Sequence, residues 1–129
     1  MRKPLERILY VEDEADIRTV AKMALEVVGG FRVLACSSGQ EAIAAAPEAV
    51  ADLILLDVMM PGIDGPSTLR ALRSLPATAA TPVIFMTAKV QATEIAEYRA
   101  LGALDVIPKP FDPMLVSAEI ERIWRAQPD

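Results

Sequence analysis

The chain has 129 residues, 53% of them hydrophobic, with 13 basic and 18 acidic side chains, a formal net charge of −5, one cysteine and no histidine. This length forms one domain with its own core. A lone Cys36 and the lack of histidine exclude an internal disulfide and a Cys/His zinc centre, the scattered basic residues argue against a nucleic-acid surface, and no apolar run approaches the ~20 residues of a membrane helix.

Arg2 and Lys3 are followed too soon by Glu6, Arg7 and Glu12-Asp13-Glu14 to open a signal peptide, and a cytoplasmic domain is expected. Residues 7–11 read as a short apolar strand with the acidic run at its carboxyl end. Ile17, Val20, Ala21, Ala24, Leu25 and Val28 then recur at helical spacing and line one face, with Arg18, Lys22 and Glu26 turned away, until Gly29-Gly30 stops the helix. Residues 31–36 read as a second strand and 39–46 as an alanine-rich helix that Pro47 ends or kinks. The four aliphatics 53–56, between Asp52 and Asp57, have the pattern of a strand buried on both faces, as in parallel sheets covered by helices. Turn residues 61–65 hand over to Pro66 in the first turn of a third helix whose apolar side includes Leu69 and Leu72.

A Pro/Ala/Thr linker, 76–81, precedes a fourth strand, 82–86, that ends at Thr87 and Ala88. Residues 91–101 have a thin apolar pattern (Ile95, Tyr98, Leu101), which predicts a weakly anchored helix suited to movement. The fifth strand, 104–107, leads to Pro108-Lys109-Pro110, and Asp112-Pro113 opens a last helix with Val116, Ile120, Ile123 and Trp124 on one face. Strands alternating with helices imply a parallel, doubly wound α/β sheet with right-handed crossovers, one domain over residues 5–126 with no output domain. The end at Gln127-Pro128-Asp129, with no linker, fits a stand-alone regulator.

The strand order is not dictated by these residues. Taking the order 2-1-3-4-5 known for flavodoxin-like sheets, Glu12, Asp13, Asp57, Thr87 and Lys109 meet at one sheet edge, where such folds do their chemistry. Crowded carboxylates repel one another and call for a cation, and an all-oxygen donor set selects Mg²⁺, with Mn²⁺ as the alternative. With a metal and Lys109 beside it, Asp57 suits a nucleophile for a phosphoryl group whose oxygens the cation, Lys109 and Thr87 hold. Each part has a plainer reading: acids at a helix start, a threonine cap, a solvated lysine. Joint placement at four strand ends is what disfavours those readings.

Val11-Glu12-Asp13-Glu14, Leu56-Asp57-Val58-Met59-Met60-Pro61-Gly62, Met86-Thr87-Ala88 and Lys109-Pro110-Phe111 together resemble the response-regulator receiver domain of two-component signalling, over nearly the whole chain. The resemblance implies Asp57 as phosphoacceptor, Thr87 as switch hydroxyl and Lys109 as the phosphoryl contact. It implies Mg²⁺ held by Asp57, by Asp13 directly, by Glu12 through water and by the Met59 carbonyl. It also implies a cis Lys109-Pro110 bond, a histidine kinase or phosphotransfer protein as donor, and a partner or homodimer surface on the fourth helix, fifth strand and fifth helix that includes Tyr98, Arg99, Val106, Arg122 and Trp124.

Two departures bear on the mechanism. Val106 stands where this family often has an aromatic that rotates inward, so a different repacking of the fourth helix and fifth strand is expected. Met59 and Lys89 flank the path of an attacking water, and an apolar Met59 predicts slow self-dephosphorylation. The rivals are an aspartyl-phosphate phosphatase, whose Asp nucleophile follows the first strand, a flavin module, which lacks its phosphate loop here, and a receiver-like interaction module that is never phosphorylated.

Overall fold

The computed structural model describes residues 3–128. The elements are β1 (Arg7–Val11), α1 (Ala15–Val27), β2 (Arg32–Cys36), α2 (Gly39–Ala49), β3 (Leu53–Asp57), α3 (Gly65–Arg73), a 3₁₀ turn (Pro76–Thr78), β4 (Val83–Thr87), α4 (Ala92–Ala100), β5 (Asp105–Pro108) and α5 (Val116–Arg125). The five strands form one parallel sheet in the order β2-β1-β3-β4-β5, as expected.

Register aligns the strand ends. Val11 lies opposite both Cys36 and Leu56, Asp57 opposite Met86, and Thr87 opposite Pro108. The residues that end or follow β1, β3, β4 and β5 therefore share one edge. Every residue of β3 and β4 is buried, and the sheet divides two cores by strand alternation. Ile8, Tyr10, Leu53, Leu55, Ile84 and Met86 pack with α1 and α5 residues, whereas Leu9, Val11, Ile54, Leu56, Val83 and Phe85 pack with residues of α2, α3 and α4. Full burial of one such side chain contributes about 1.5–3 kcal/mol, so the middle strands are the rigid part of the molecule. No helix among the described residues is long and apolar enough to cross a membrane.

Several local expectations change in the folded chain. The buried stripe of α1 narrows to Ala21, Ala24 and Leu25, while Val20 and Val28 are each 47% exposed. Small alanines let α1 lie close to the sheet, and the wider apolar pattern cannot all face one strand pair. Arg18 does not point away but turns back over the β1–α1 loop, donating to the carbonyls of Glu12 (2.9 Å) and Asp13 (3.4 Å). Helix α2 runs through Pro47 to Ala49, since a proline so near the helix end removes one amide from a turn that is already closing. The Asp112 carboxylate accepts from the Met114 amide at 2.9 Å, making a turn, and α5 starts only at Val116. Trp124 is 3% exposed in the α1/α5 core, its indole N–H donating to the Lys3 carbonyl at 2.9 Å. It is therefore not part of an outward partner face, because the strongly amphipathic α5 turns that side to the sheet. Val106 and Tyr98 are buried as well, on the opposite side of the sheet.

Val50, which leaves α2, has φ 49°. A β-branched side chain in the left-handed region is strained by about 1–2 kcal/mol, and Val50 is exposed, so no packing compensates. Val50→Gly, which relieves the strain but adds chain entropy to the unfolded state, is expected to raise the urea midpoint by the equivalent of about 0.5–1 kcal/mol at unchanged slope. A lowered midpoint would contradict the strain.

Candidate functional site

Asp57 is carried to the carboxyl edge by a strand with no freedom to slip, and it is itself 3% exposed. Glu12, one residue beyond β1, is fully buried, and Asp13 beside it is half-buried. One carboxylate oxygen from each of Glu12, Asp13 and Asp57 lies within 4.8 Å of the others. The Lys109 ammonium bridges two of them, 2.8 Å from Glu12 Oε1 and 3.4 Å from Asp57 Oδ2. The other Glu12 oxygen accepts from the Glu14 amide at 3.3 Å.

The Lys109 amide donates to the Thr87 carbonyl at 2.9 Å, and the following Lys109-Pro110 bond is cis, as the resemblance implied. Thr87 is buried at the end of β4, and its hydroxyl accepts from the Lys89 amide at 3.1 Å, engaged there rather than on Asp57. Met59, two residues past Asp57, is 65% exposed. The fold thus gathers the carboxylates of Glu12, Asp13 and Asp57 within 4.8 Å, with Lys109 on Glu12 and Asp57, Thr87 at the next strand end and Met59 two residues along the chain from Asp57.

The electrostatics follow from crowding. Burial, then a shared hydrogen bond with Glu12 and its charge, push the Asp57 carboxyl up to about 7, outweighing Lys109. Burial alone would lower Lys109, but the Glu12 and Asp57 carboxylates win and hold it above an ordinary lysine. Tyr10, on the same strand face as Glu12, is pushed up by burial and then by the charges of Glu12 and Asp57. Its hydroxyl has no hydrogen-bond partner among the described residues. A single lysine among three carboxylates leaves net negative charge in a mostly buried pocket. Hard oxygen donors at this spacing fit a divalent cation of the Mg²⁺ or Mn²⁺ type.

Two contributors escaped the sequence reading. Gly65 reads there as a turn residue, yet a Cβ on it would stand 2.6 Å from the Asp57 carbonyl oxygen and 2.8 Å from Val58 Cα, while its amide donates to the Val58 carbonyl at 2.9 Å. Only glycine permits α3 to start hard against the strand end that bears Asp57. Arg18 is the other, since its hold on the Glu12 and Asp13 carbonyls orients the acidic loop. Alternation along β1 could have placed Tyr10 near the pocket; nothing local signalled Gly65.

The lysine thus pairs with two carboxylates, Glu12 just after the first strand and Asp57 at the end of the third, and of the acids in the pocket only the Asp57 side chain is carried by a strand buried at every position. By its sequence the chain belongs to the response regulator receiver domain family, whose profile matches residues 8–121. Over 119 residues it is 40% identical to the transcriptional regulatory protein ResD of Bacillus subtilis, covering 92% of this chain and 48% of ResD. Over 121 residues it is 38% identical to the transcriptional regulatory protein CpxR of Escherichia coli K12, covering 94% of this chain and 50% of CpxR. The chain spans about half the length of these relatives. In structure it is similar to the chemotaxis response regulator CheY4 of Vibrio cholerae, with TM-score 0.84 and 29% identity, covering 93% of this chain and 99% of that one. The receiver domain of Francisella response regulator 1452 is similar too, with TM-score 0.81 and 27% identity, covering 93% of this chain and 97% of that one. The expectation of no direct nucleic-acid partner conflicts with the names of ResD and CpxR, both transcriptional regulatory proteins; it rested on the net charge of −5 and scattered basic residues, which speak only for this domain's own surface.

The raised Asp57 makes a signed prediction. Its folded value, about 7, exceeds the unfolded 3.8, so the native state binds the extra proton between them and stability falls as pH rises through that window. Asp57→Asn lacks this loss. In Mg²⁺-free buffer its stability advantage over wild type is expected to grow by about 1–3 kcal/mol from pH 4 to pH 7.5 in urea unfolding, and to shrink when Mg²⁺ is added. An advantage independent of pH would show that Asp57 is not the group under strain.

Proposed function

We propose that the domain accepts a phosphoryl group on Asp57 from a phosphohistidine of a histidine kinase or phosphotransfer protein, and signals in the cytoplasm through its α4-β5-α5 face. The observation that carries this is the buried Asp57 carboxylate at the end of β3, with Lys109 at 3.4 Å and the Glu12 and Asp13 oxygens within 4.8 Å. An Asp57 oxygen attacks phosphorus, the N–P bond to the donor imidazole breaks, and the departing nitrogen keeps that electron pair and takes a proton from solvent.

Lys109 is positioned to exchange its carboxylate contacts for the phosphoryl oxygens, and its charge opposes the burial and Glu12 effects that raise Asp57, favouring the ionised form that attacks. Asp13, Asp57, the Met59 carbonyl and, through water, Glu12 are the groups that would hold Mg²⁺, for which Mn²⁺ could substitute. When bound, the ion supplies positive charge opposite the transferring group. The Thr87 hydroxyl leaves the Lys89 amide for a phosphoryl oxygen, which favours one arrangement of the β4–α4 loop over another. On the output face Arg99 pairs with Asp105 at 3.0 Å and Arg122 with Glu119 at 2.6 Å, both with exposed guanidinium groups a partner protein or a second copy can engage. The names of the relatives favour an output on transcription.

Intact mass after incubation with acetyl phosphate tests the reading. One phosphoryl adduct is expected with Mg²⁺ on wild type, and none without Mg²⁺ or on Asp57→Asn; no adduct under any condition would favour a phosphorylation-independent interaction module. Exposed, apolar Met59 cannot orient a water. Met59→Asn is therefore expected to shorten the aspartyl-phosphate lifetime about severalfold, and a wild-type half-life of seconds that this change leaves unaltered would remove Met59 from the account.

A further inference from the structure

We propose that Tyr98 is the latch of α4, holding the helix to the sheet through Phe85 and thereby setting how readily α4 answers a change at Thr87. Among the described residues of α4, Tyr98 is the one that is buried; Ile95 is partly covered, and the rest of the helix carries small, charged or exposed side chains. The Tyr98 ring meets Phe85 edge-on, with centroids 5.4 Å apart and planes at 65°, an arrangement in which the positive edge of one ring faces the negative face of the other.

Phe85 lies two residues before Thr87 in β4, on the same face of the sheet by alternation, and it is paired in register with Val106. The short Val106 side chain shares one apolar cluster with Phe85, Ala103 and Tyr98. The aromatic beside β4 thus comes from the helix and not from β5. At the C-terminal end the Tyr98 carbonyl accepts from the Ala103 amide at 3.1 Å and shares the Leu101 amide, at 3.2 Å, with Glu97, while Gly102 donates to Arg99 at 3.0 Å, so the closing turn lies beside the buried ring.

At its other end α4 is tied less firmly. The Thr87 hydroxyl holds the Lys89 amide, and two residues later Gln91 caps the helix through Glu94 at 3.3 Å, an exposed contact. The Arg99 to Asp105 pair is exposed and adds little. If Thr87 lets go of Lys89, residues 88–91 lose their tie and the Tyr98 ring remains as the main resistance to movement of α4. This last step rests on the phosphoacceptor reading, whereas the latch itself does not.

Amide hydrogen exchange on the full chain tests both, with beryllofluoride plus Mg²⁺ as the phosphoryl mimic and its binding followed separately by fluorine NMR. Tyr98→Ala is expected to speed exchange of residues 92–103 by about tenfold or more without the mimic, leaving β1 and β3 unchanged. Tyr98→Phe, which keeps the ring, stays near wild type, and Ile95→Ala has a clearly smaller effect. Thr87→Val, which removes the acceptor for Lys89, speeds exchange in residues 89–97 more than in 98–103. Unchanged exchange in Tyr98→Ala, a uniform rise across the whole chain, or an equal effect of Ile95→Ala overturns the latch. A bound mimic that leaves α4 exchange unaltered overturns the coupling to Thr87. A mimic that does not bind refutes the phosphoacceptor reading and leaves the latch to be decided by the Tyr98 and Ile95 variants.

Discussion

Like charge crowded into a buried corner is the constraint on which the rest of this structure depends. Glu12, Asp13 and Asp57 bring carboxylate oxygens within 4.8 Å of one another, and two of the three residues are almost wholly buried. Lys109 offsets part of the repulsion by standing between Glu12 and Asp57. Burial first, and then the bond to and charge of Glu12, raise the Asp57 carboxyl and leave a site whose stability improves with added positive charge. A pocket kept in that condition responds to cations and to phosphoryl chemistry because either one changes its charge balance.

Such a corner requires a stiff scaffold, and the parallel sheet supplies it. Strands β3 and β4 are buried at every position, and their register places Asp57 opposite Met86 with Thr87 one residue beyond. Gly65 lets α3 begin against the Asp57 carbonyl, and Arg18 fixes the loop bearing Glu12 and Asp13. The strained charges are thereby prevented from relaxing apart, which is the general condition for storing a response at a site.

Stiffness in the middle of the sheet contrasts with looseness at one flank. Helix α4 buries one of its nine residues, whereas α5 buries Val116, Ser117, Ile120, Ile123 and Trp124. A helix held by so little contact opens at low free-energy cost. The soft element begins five residues after Thr87, next to the charged pocket, so a small displacement of one hydroxyl is applied where the resistance is least.

The sequence by itself determined the kinds of element and which chemical groups stand at strand ends. Both are local properties: the aliphatic run 53–56 has the length and bounds of a doubly buried strand, and Asp57, Thr87 and Lys109 end or follow their strands by position in the chain. Tertiary structure decided what depends on which faces meet. Trp124 turned inward, Arg18 turned back to the acidic loop, Val20 and Val28 were left in water, and α5 started at Val116 after the Asp112 turn. It also decided that Gly65 touches the Asp57 backbone and that Tyr98, from a distant helix, rests on Phe85. Periodicity tells which residues share a face, but the partner of that face and the distance between them are set only when the layers pack.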